Sequence, residues 1–116
     1  MLFRSCSLAV VSNRDKNYHE YLTEKGIQHY FNFSLAAGEI GIWKPSVGIF
    51  EHALQKLNVQ AQEAIYVGDN YYADILGARA AGIQPILIDP HSLYENPDCP
   101  VIQSIEQIPD WLQRNQ

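Results

Sequence analysis

Two aspartates five positions apart, Asp69 and Asp74, are the residues of this chain whose type and spacing best suit chemistry. They stand in Val67-Gly68-Asp69-Asn70-Tyr71-Tyr72-Ala73-Asp74, where an apolar run breaks into Gly-Asp. Ile65-Tyr66-Val67 reads as a short buried strand and the pattern from Ala73 to Ala81 as a helix, so Asp69 falls at a strand's C-terminal end and Asp74 in the first helical turn. Both carboxylates can then face one crevice. A hard divalent cation such as Mg²⁺ takes oxygen ligands and is held by one or two carboxylates plus substrate phosphate oxygens, which this spacing suits. The plainer alternative is an ordinary Gly-Asp turn followed by an acidic residue set favourably against a helix dipole.

The elements that must position such a pair follow from hydrophobic periodicity. Leu8-Ala9-Val10-Val11 predicts a first strand, followed by a helix over roughly Lys16 to Lys25 that stacks Tyr18, Tyr21 and Leu22 on one face and ends at Gly26. Residues 31–35 alternate like a less buried or edge strand. A helix follows in which Phe50, Ala53, Leu54 and Leu57 keep i, i+3, i+4, i+7 spacing, with Ser46 as its N-cap. Ile86-Leu87-Ile88 predicts the last buried strand. The tail is turn-rich from Asp89 to Pro100 and then packs Ile105, Ile108, Trp111 and Leu112 as a short helix with Pro109 near its start. Strands alternating with helices imply an α/β domain built on a parallel sheet.

Composition bounds the function. A chain of 116 residues, 47% hydrophobic and 18% charged, suits one small globular domain, and no apolar run reaches spanning length. With no leader pattern after Met1, a cytoplasmic location is expected. The net charge of −5 and scattered basic residues argue against a nucleic-acid or anionic-membrane footprint, leaving a small ligand as the expected partner. Cys6 and Cys99 lack ligand-type spacing and read as a core thiol and a loop thiol. His19, His29, His52 and His91 share no metal-ligand spacing either.

Two further polar positions fall where the Asp pair falls. Ser12 directly follows the first strand and Lys44 precedes a helix after the Ala36–Trp43 loop. In open α/β sheets these C-terminal ends line the ligand crevice. A hydroxyl donor, an ammonium and a metal-binding carboxylate pair together suit a transferring phosphoryl group, whose charge must be held and neutralised. Singly, Ser12 with Asn13 also fits a turn, and Lys44 a solvated cation before Pro45.

With these residues in view, the chain resembles the haloacid dehalogenase-like hydrolase superfamily, in its phosphoglycolate phosphatase-like and dehalogenase-like branch. Three segments carry the resemblance: Leu8-Ala9-Val10-Val11-Ser12-Asn13; Gly38-Glu39-Ile40-Gly41-Ile42-Trp43-Lys44-Pro45 with Ile49-Phe50; and Val67-Gly68-Asp69 through Asp74-Ile75 to Gly77-Ala78-Arg79-Ala80-Ala81-Gly82. It implies a Rossmann-like three-layer α/β/α fold with a parallel sheet. It also implies that Ser12 is the phosphate-binding hydroxyl, that Asn13 adds polar contacts to the phosphoryl pocket, and that Lys44 steadies the nucleophile and phosphoryl oxygens. Asp69 would bind Mg²⁺, and Asp74 would support the metal's water shell or the lysine. Glu39 and Arg79 are candidates for structural ion pairs. Ser46 and Val47 replace the Asp-Pro that often follows Lys-Pro in the family.

One departure matters. The superfamily carries an Asp-x-Asp-x-[Thr/Val] motif on its first strand, supplying the covalent nucleophile and the general acid/base, and this sequence contains no Asp-x-Asp. Without an activated nucleophile the chain alone should lack turnover. The resemblance therefore implies a single partial core domain over residues 1–116, motif-bearing over about 7–90 with a tail over 91–116, whose sheet lacks its central strand. The chain is expected to be the C-terminal part of a longer protein, with the nucleophile-bearing N-terminal segment as its partner. About 30 residues separate Ser12 from Lys44, which leaves no room there for a substrate-covering cap. The implied activity is Mg²⁺-dependent hydrolysis of a small phosphorylated metabolite through an aspartyl-phosphate. The alternatives are a metal-independent haloacid dehalogenase and a non-catalytic protein that binds a partner through exposed sheet edges. A phosphorylation receiver domain places Asp first and Lys last, opposite to the order found here.

Overall fold

A computed structural model describes residues 7–115, so Cys6 lies outside the described residues. The chain divides into two compact units, residues 1–59 and 60–116.

In the first unit, β1 (Ala9–Ser12) and β2 (Phe33–Ala36) pair in parallel with Ala9 opposite Phe33 and Ser12 opposite Ala36. Parallel neighbours need a crossover, and α1 (His19–Glu24) supplies it. It is shorter than the periodicity suggested and buries Leu22 while leaving Tyr21 exposed, because the tyrosine hydroxyl favours water. A short helix, α2 (Ala37–Ile40), occupies what the sequence suggests is a loop, and α3 (Val47–Leu57) follows the Lys44-Pro45 bond, which is cis. On α3, Phe50 is fully buried and Ala53 nearly so, as the spacing predicted, while Leu54 and Leu57 of the same stripe are half-buried and Ile49, outside it, is fully buried. Ser46 holds the N-cap position, but its side chain makes no capping hydrogen bond.

In the second unit, β3 (Ile65–Gly68) pairs in parallel with β4 (Gln84–Ile88), and β4 with β5 (Val101–Ile102). The third strand was not expected. It sits inside the turn-rich tail, where Leu87 N–H donates to the Pro100 carbonyl and Asp89 N–H to that of Ile102. Between β3 and β4 the chain makes a π-helical turn (Tyr71–Leu76) that runs into α4 (Gly77–Ala80), burying Ile75 and Ala78. The last helix, α5 (Ile108–Arg114), has its proline in the first turn as expected, but Ile105 is 59% exposed and does not join the core.

The strands among the described residues thus form two separate parallel sheets, β1–β2 and β3–β4–β5. Among the described residues no helix is long and apolar enough to cross a membrane.

Candidate functional site

Ser12 is the last residue of β1, and its side chain carries a conflict: the residue is only 8% exposed and its hydroxyl has no hydrogen-bond partner among the described residues. Leaving a buried hydroxyl unpaired costs about 1–3 kcal/mol, so such a group in a native fold asks for a partner from outside. The next residue is fully engaged. Asn13 Nδ2 donates to the Lys44 carbonyl (3.1 Å) and Lys44 N–H donates to Asn13 Oδ1 (2.7 Å). One amide side chain thereby clamps the main chain of Lys44 to the end of β1 across 31 positions of sequence. Both of these Asn13 side-chain bonds go to the Lys44 main chain.

Two further contacts shape this end of the first unit. Gly38 N–H donates to the Arg14 carbonyl (2.9 Å), and a Cβ on Gly38 would stand 2.5 Å from the Asp15 Cα, so only glycine lets the two segments approach this closely. Glu39, expected in an ion pair, instead accepts from Ala36 N–H (2.9 Å) and from the Asn17 side-chain amide. Its carboxylate satisfies a helix-start amide and fixes the path from β2 into α2. A shallow cavity of about 430 Å³ opens beside the clamp, lined by Asn13, Arg14, Asp15, Lys16 and Trp43.

The second unit brings Asp69 and Asp74 together around one turn. Asp69 is exposed just past β3, while Asp74 is 4% exposed and its Oδ2 accepts from Asn70 N–H (3.0 Å). Gly68 makes this possible, since a Cβ there would lie 2.3 Å from the Asp74 Cγ. The Asn70 side chain caps the following helix by accepting from Ala73 N–H (2.8 Å). The expected spacing thus resolves into two jobs: Asp69 offers a carboxylate to solvent, and Asp74 holds the turn that presents it.

Sequence reasoning missed the groups that hold this turn from the other side. Asp89, buried at the end of β4, accepts from the N–H groups of Leu93 (2.9 Å) and Tyr94 (3.0 Å). Tyr94 then reaches back: its hydroxyl donates to the Asp69 carbonyl (3.2 Å) and accepts from Tyr71 N–H (3.3 Å). Farther on, Asp98 is gripped by Arg79 (3.2 Å) and by the Tyr71 hydroxyl. These hydrogen bonds, Tyr71's above all, hold the Asp98 carboxyl below its ordinary range, and the same bond pushes the Tyr71 hydroxyl up. Burial raises the Cys99 thiol, which is a free cysteine. An anchor and a hydroxyl twenty-five residues apart leave no mark in periodicity, and only the Asp-Pro ending of β4 hinted at a polar strand end.

Among the described residues no three His, Cys, Asp or Glu side chains gather into a metal-holding group, and the four histidines take no part in one. The exposed Asp69 carboxylate is a hard oxygen donor, which fits a cation that takes its remaining ligands from water and phosphate.

Parallel α/β sheets with polar groups at the C-terminal ends of β1 and β3 define a Rossmann-like fold. The chain belongs to the haloacid dehalogenase-like hydrolase family, whose model matches residues 3–88. It is 37% identical over 105 residues to haloacid dehalogenase-like hydrolase domain-containing protein 3 of Xenopus laevis, covering 87% of this chain and 43% of that protein. It is 36% identical over 96 residues to a phosphoserine phosphatase of Thermus thermophilus, covering 82% of this chain and 39% of that one. The structure of a 2-haloacid dehalogenase from Pseudomonas syringae superposes with a TM-score of 0.84 at 32% identity, over 95% of this chain and 47% of that one. The chain therefore spans less than half the length of these relatives.

Proposed function

We propose that this chain is the lysine- and metal-bearing part of an Mg²⁺-dependent phosphatase that hydrolyses a small phosphate ester through an aspartyl-phosphate. The observation that carries the reading is the buried, unpartnered hydroxyl of Ser12, one residue from the amide that clamps Lys44. A phosphoryl oxygen satisfies such a hydroxyl, and a hydrogen bond to an anion is about twice as strong as a neutral one. The phosphatase named among the relatives supports the same direction.

The residues divide the work. Ser12 donates to a phosphoryl oxygen, Lys44 neutralises charge that builds on the phosphoryl group and nucleophile, and Asn13 keeps the lysine main chain in register. Asp69 holds the cation, and Asp74 holds the Asp69 turn. Bound Mg²⁺ would draw charge from the phosphoryl oxygens. The nucleophile is a carboxylate of a segment absent from this sequence. Its oxygen bonds to phosphorus as the ester P–O bond breaks and the departing oxygen takes a proton; water then cleaves the acyl phosphate and restores the carboxylate. This chain alone is accordingly inactive, and it is a cytoplasmic protein.

The test joins the chain to an upstream segment carrying Asp-x-Asp, in cis or as a separate polypeptide, and follows Mg²⁺-dependent hydrolysis of p-nitrophenyl phosphate. Lys44→Ala and Asp69→Ala should each lower kcat by about 100-fold or more, the scale of losing one charge-stabilising group, while His52→Ala leaves it unchanged. A folded, active protein indifferent to both substitutions overturns the reading. A second reading rests on the 2-haloacid dehalogenase neighbour. Under it the nucleophile attacks carbon, and halide is released from a 2-haloacid without metal and regardless of Asp69→Asn.

A further inference from the structure

The Asp69 carboxylate can bind a cation well only if its turn is held still, and half of the hold comes from a segment outside the matched motifs. We propose that Tyr94 is a positioning residue whose hydroxyl fixes the Asp69–Tyr71 turn in the conformation that binds a divalent cation. This rests on the reading of Asp69 as the cation's carboxylate.

The Tyr94 hydroxyl spans the turn, donating to the carbonyl before Asn70 and accepting from the amide after it. A phenol is suited to this because it is donor and acceptor at once. The ring cannot drift, because the backbone of Leu93 and Tyr94 is tied to both oxygens of Asp89, a carboxylate only 4% exposed at the end of β4. The downstream end of the same segment is tied as well. Arg79 donates to the Asp98 carboxylate and to its carbonyl (3.1 Å), and the Tyr71 hydroxyl reaches the same carboxylate. Residues 89–98 thus form a strap, anchored at both ends, that touches the turn at Tyr94 and Tyr71. The opposite side of the turn is held by Asp74 through Asn70 N–H.

The energetics separate positioning from folding. The Asp69 carbonyl and the Tyr71 amide lie at an exposed turn, so water replaces the hydroxyl at small cost in stability. What is lost is conformational restriction of the residue that carries the carboxylate. Groups that orient a ligating side chain cost about 10–100-fold in metal affinity when removed.

The test uses the chain itself with Mn²⁺ as a paramagnetic probe of the cation site. Binding is read from broadening of the Asp69 and Asn70 amide signals, alongside amide exchange at Tyr71 and the melting temperature. Tyr94→Phe should bind Mn²⁺ about tenfold more weakly, with faster exchange at Tyr71 and an unchanged melting temperature. Asp89→Asn, which keeps one of the two acceptors, should move affinity in the same direction by less. Leu93→Ala, an exposed side chain of the same segment, should match the wild type. If Asp69→Asn abolishes binding while Tyr94→Phe titrates like the wild type, the role given to Tyr94 is wrong and that of Asp69 stands. If Asp69→Asn binds like the wild type, both assignments fall together.

Discussion

The polar ends of β1 and β3 are built in opposite ways. At β3 the main chain of the turn is tied at successive residues: Asp69 C=O to Tyr94, Asn70 N–H to Asp74, Tyr71 N–H to Tyr94. At β1 the neighbouring lysine main chain is clamped by Asn13, yet the Ser12 hydroxyl is buried with nothing to bond among the described residues. The first arrangement is finished within the chain and offers a carboxylate outward. The second is left incomplete, and the missing partner is what the fold asks of a ligand or of another segment. The difference teaches that preorganisation and unsatisfied polarity are separate signs of function, and each responds to mutation in its own direction.

The sharpest way to break the β3 end is Gly68→Ala. The new Cβ would stand 2.3 Å from Cγ and 2.4 Å from Cβ of Asp74, and the Asp74 Cβ is not a flexible side-chain tip that can swing aside. Overpacking of this kind costs about 1–3 kcal/mol and sometimes more, and urea denaturation should show a loss at the upper end. Next in size is Asp74→Ala, which relieves no clash and removes the acceptor of Asn70 N–H. A hydrogen bond to a charged group contributes about 1.5–3 kcal/mol, so a fall of about 2 kcal/mol is expected, with faster amide exchange at Asn70. A loss as small as that of a surface substitution would mean that the turn is held by the strap alone.

At the β1 end the corresponding hold is Asn13. Asn13→Ala removes two bonds to the Lys44 main chain; about 0.5–1.5 kcal/mol for each would sum to about 1–3 kcal/mol, and because both bonds are exposed the loss should fall in the lower part, about 1–2 kcal/mol. Asn13→Asp keeps the acceptor and loses the donor, and should fall between. If the two variants are equal, only the bond to the Lys44 carbonyl matters.

Much of this contrast was legible in the residues. Apolar runs located β1, β3 and β4 to within one or two residues, and the five-residue spacing placed Asp69 and Asp74 correctly around the β3 turn, because a strand end followed by a helix start is a local event. What escaped was either too short or too distant. α2 has four residues, one of them Gly38, and shows no periodicity at that length; β5 has two residues inside a turn-rich segment. The Asn13 clamp and the Tyr94 bridge join positions 31 and 25 apart, and nothing in local pattern encodes such a pairing. Arg79 was a sound candidate for an ion pair because helix cations seek carboxylates, but Asp98 could be named as its partner only from the fold.

The strap can be loosened by pH from both sides. Asp98 titrates below its ordinary value in the folded chain, so its contribution is present above the usual aspartate range near about pH 4 and is lost as pH falls through the lower folded value. Tyr71 is raised, so its contribution is present below about pH 10 and is lost as pH rises through the higher folded value. Asp98→Asn should lower the melting temperature slightly at neutral pH, and the gap to the wild type should close in acid. A gap that persists at pH 2 would show that the carboxylate's charge is not what matters.

The smallest expected change in stability is the one that most tests the β1 end. Ser12→Ala removes a hydroxyl that is buried and unpaired, so nothing is lost in hydrogen bonding and the cost of burying a polar group is relieved. The variant should be as stable as the wild type or more stable by up to about 1 kcal/mol, measured by urea denaturation. In the protein rejoined to a nucleophile-bearing segment the same change should reduce phosphatase turnover, since the hydroxyl is the donor assigned to the phosphoryl group. Stability gained and activity lost through one atom is the signature of a polar group kept for a ligand. Should Ser12→Ala instead destabilise the chain by more than 1 kcal/mol, the hydroxyl already has a structural partner, and the β1 end is as complete as the β3 end.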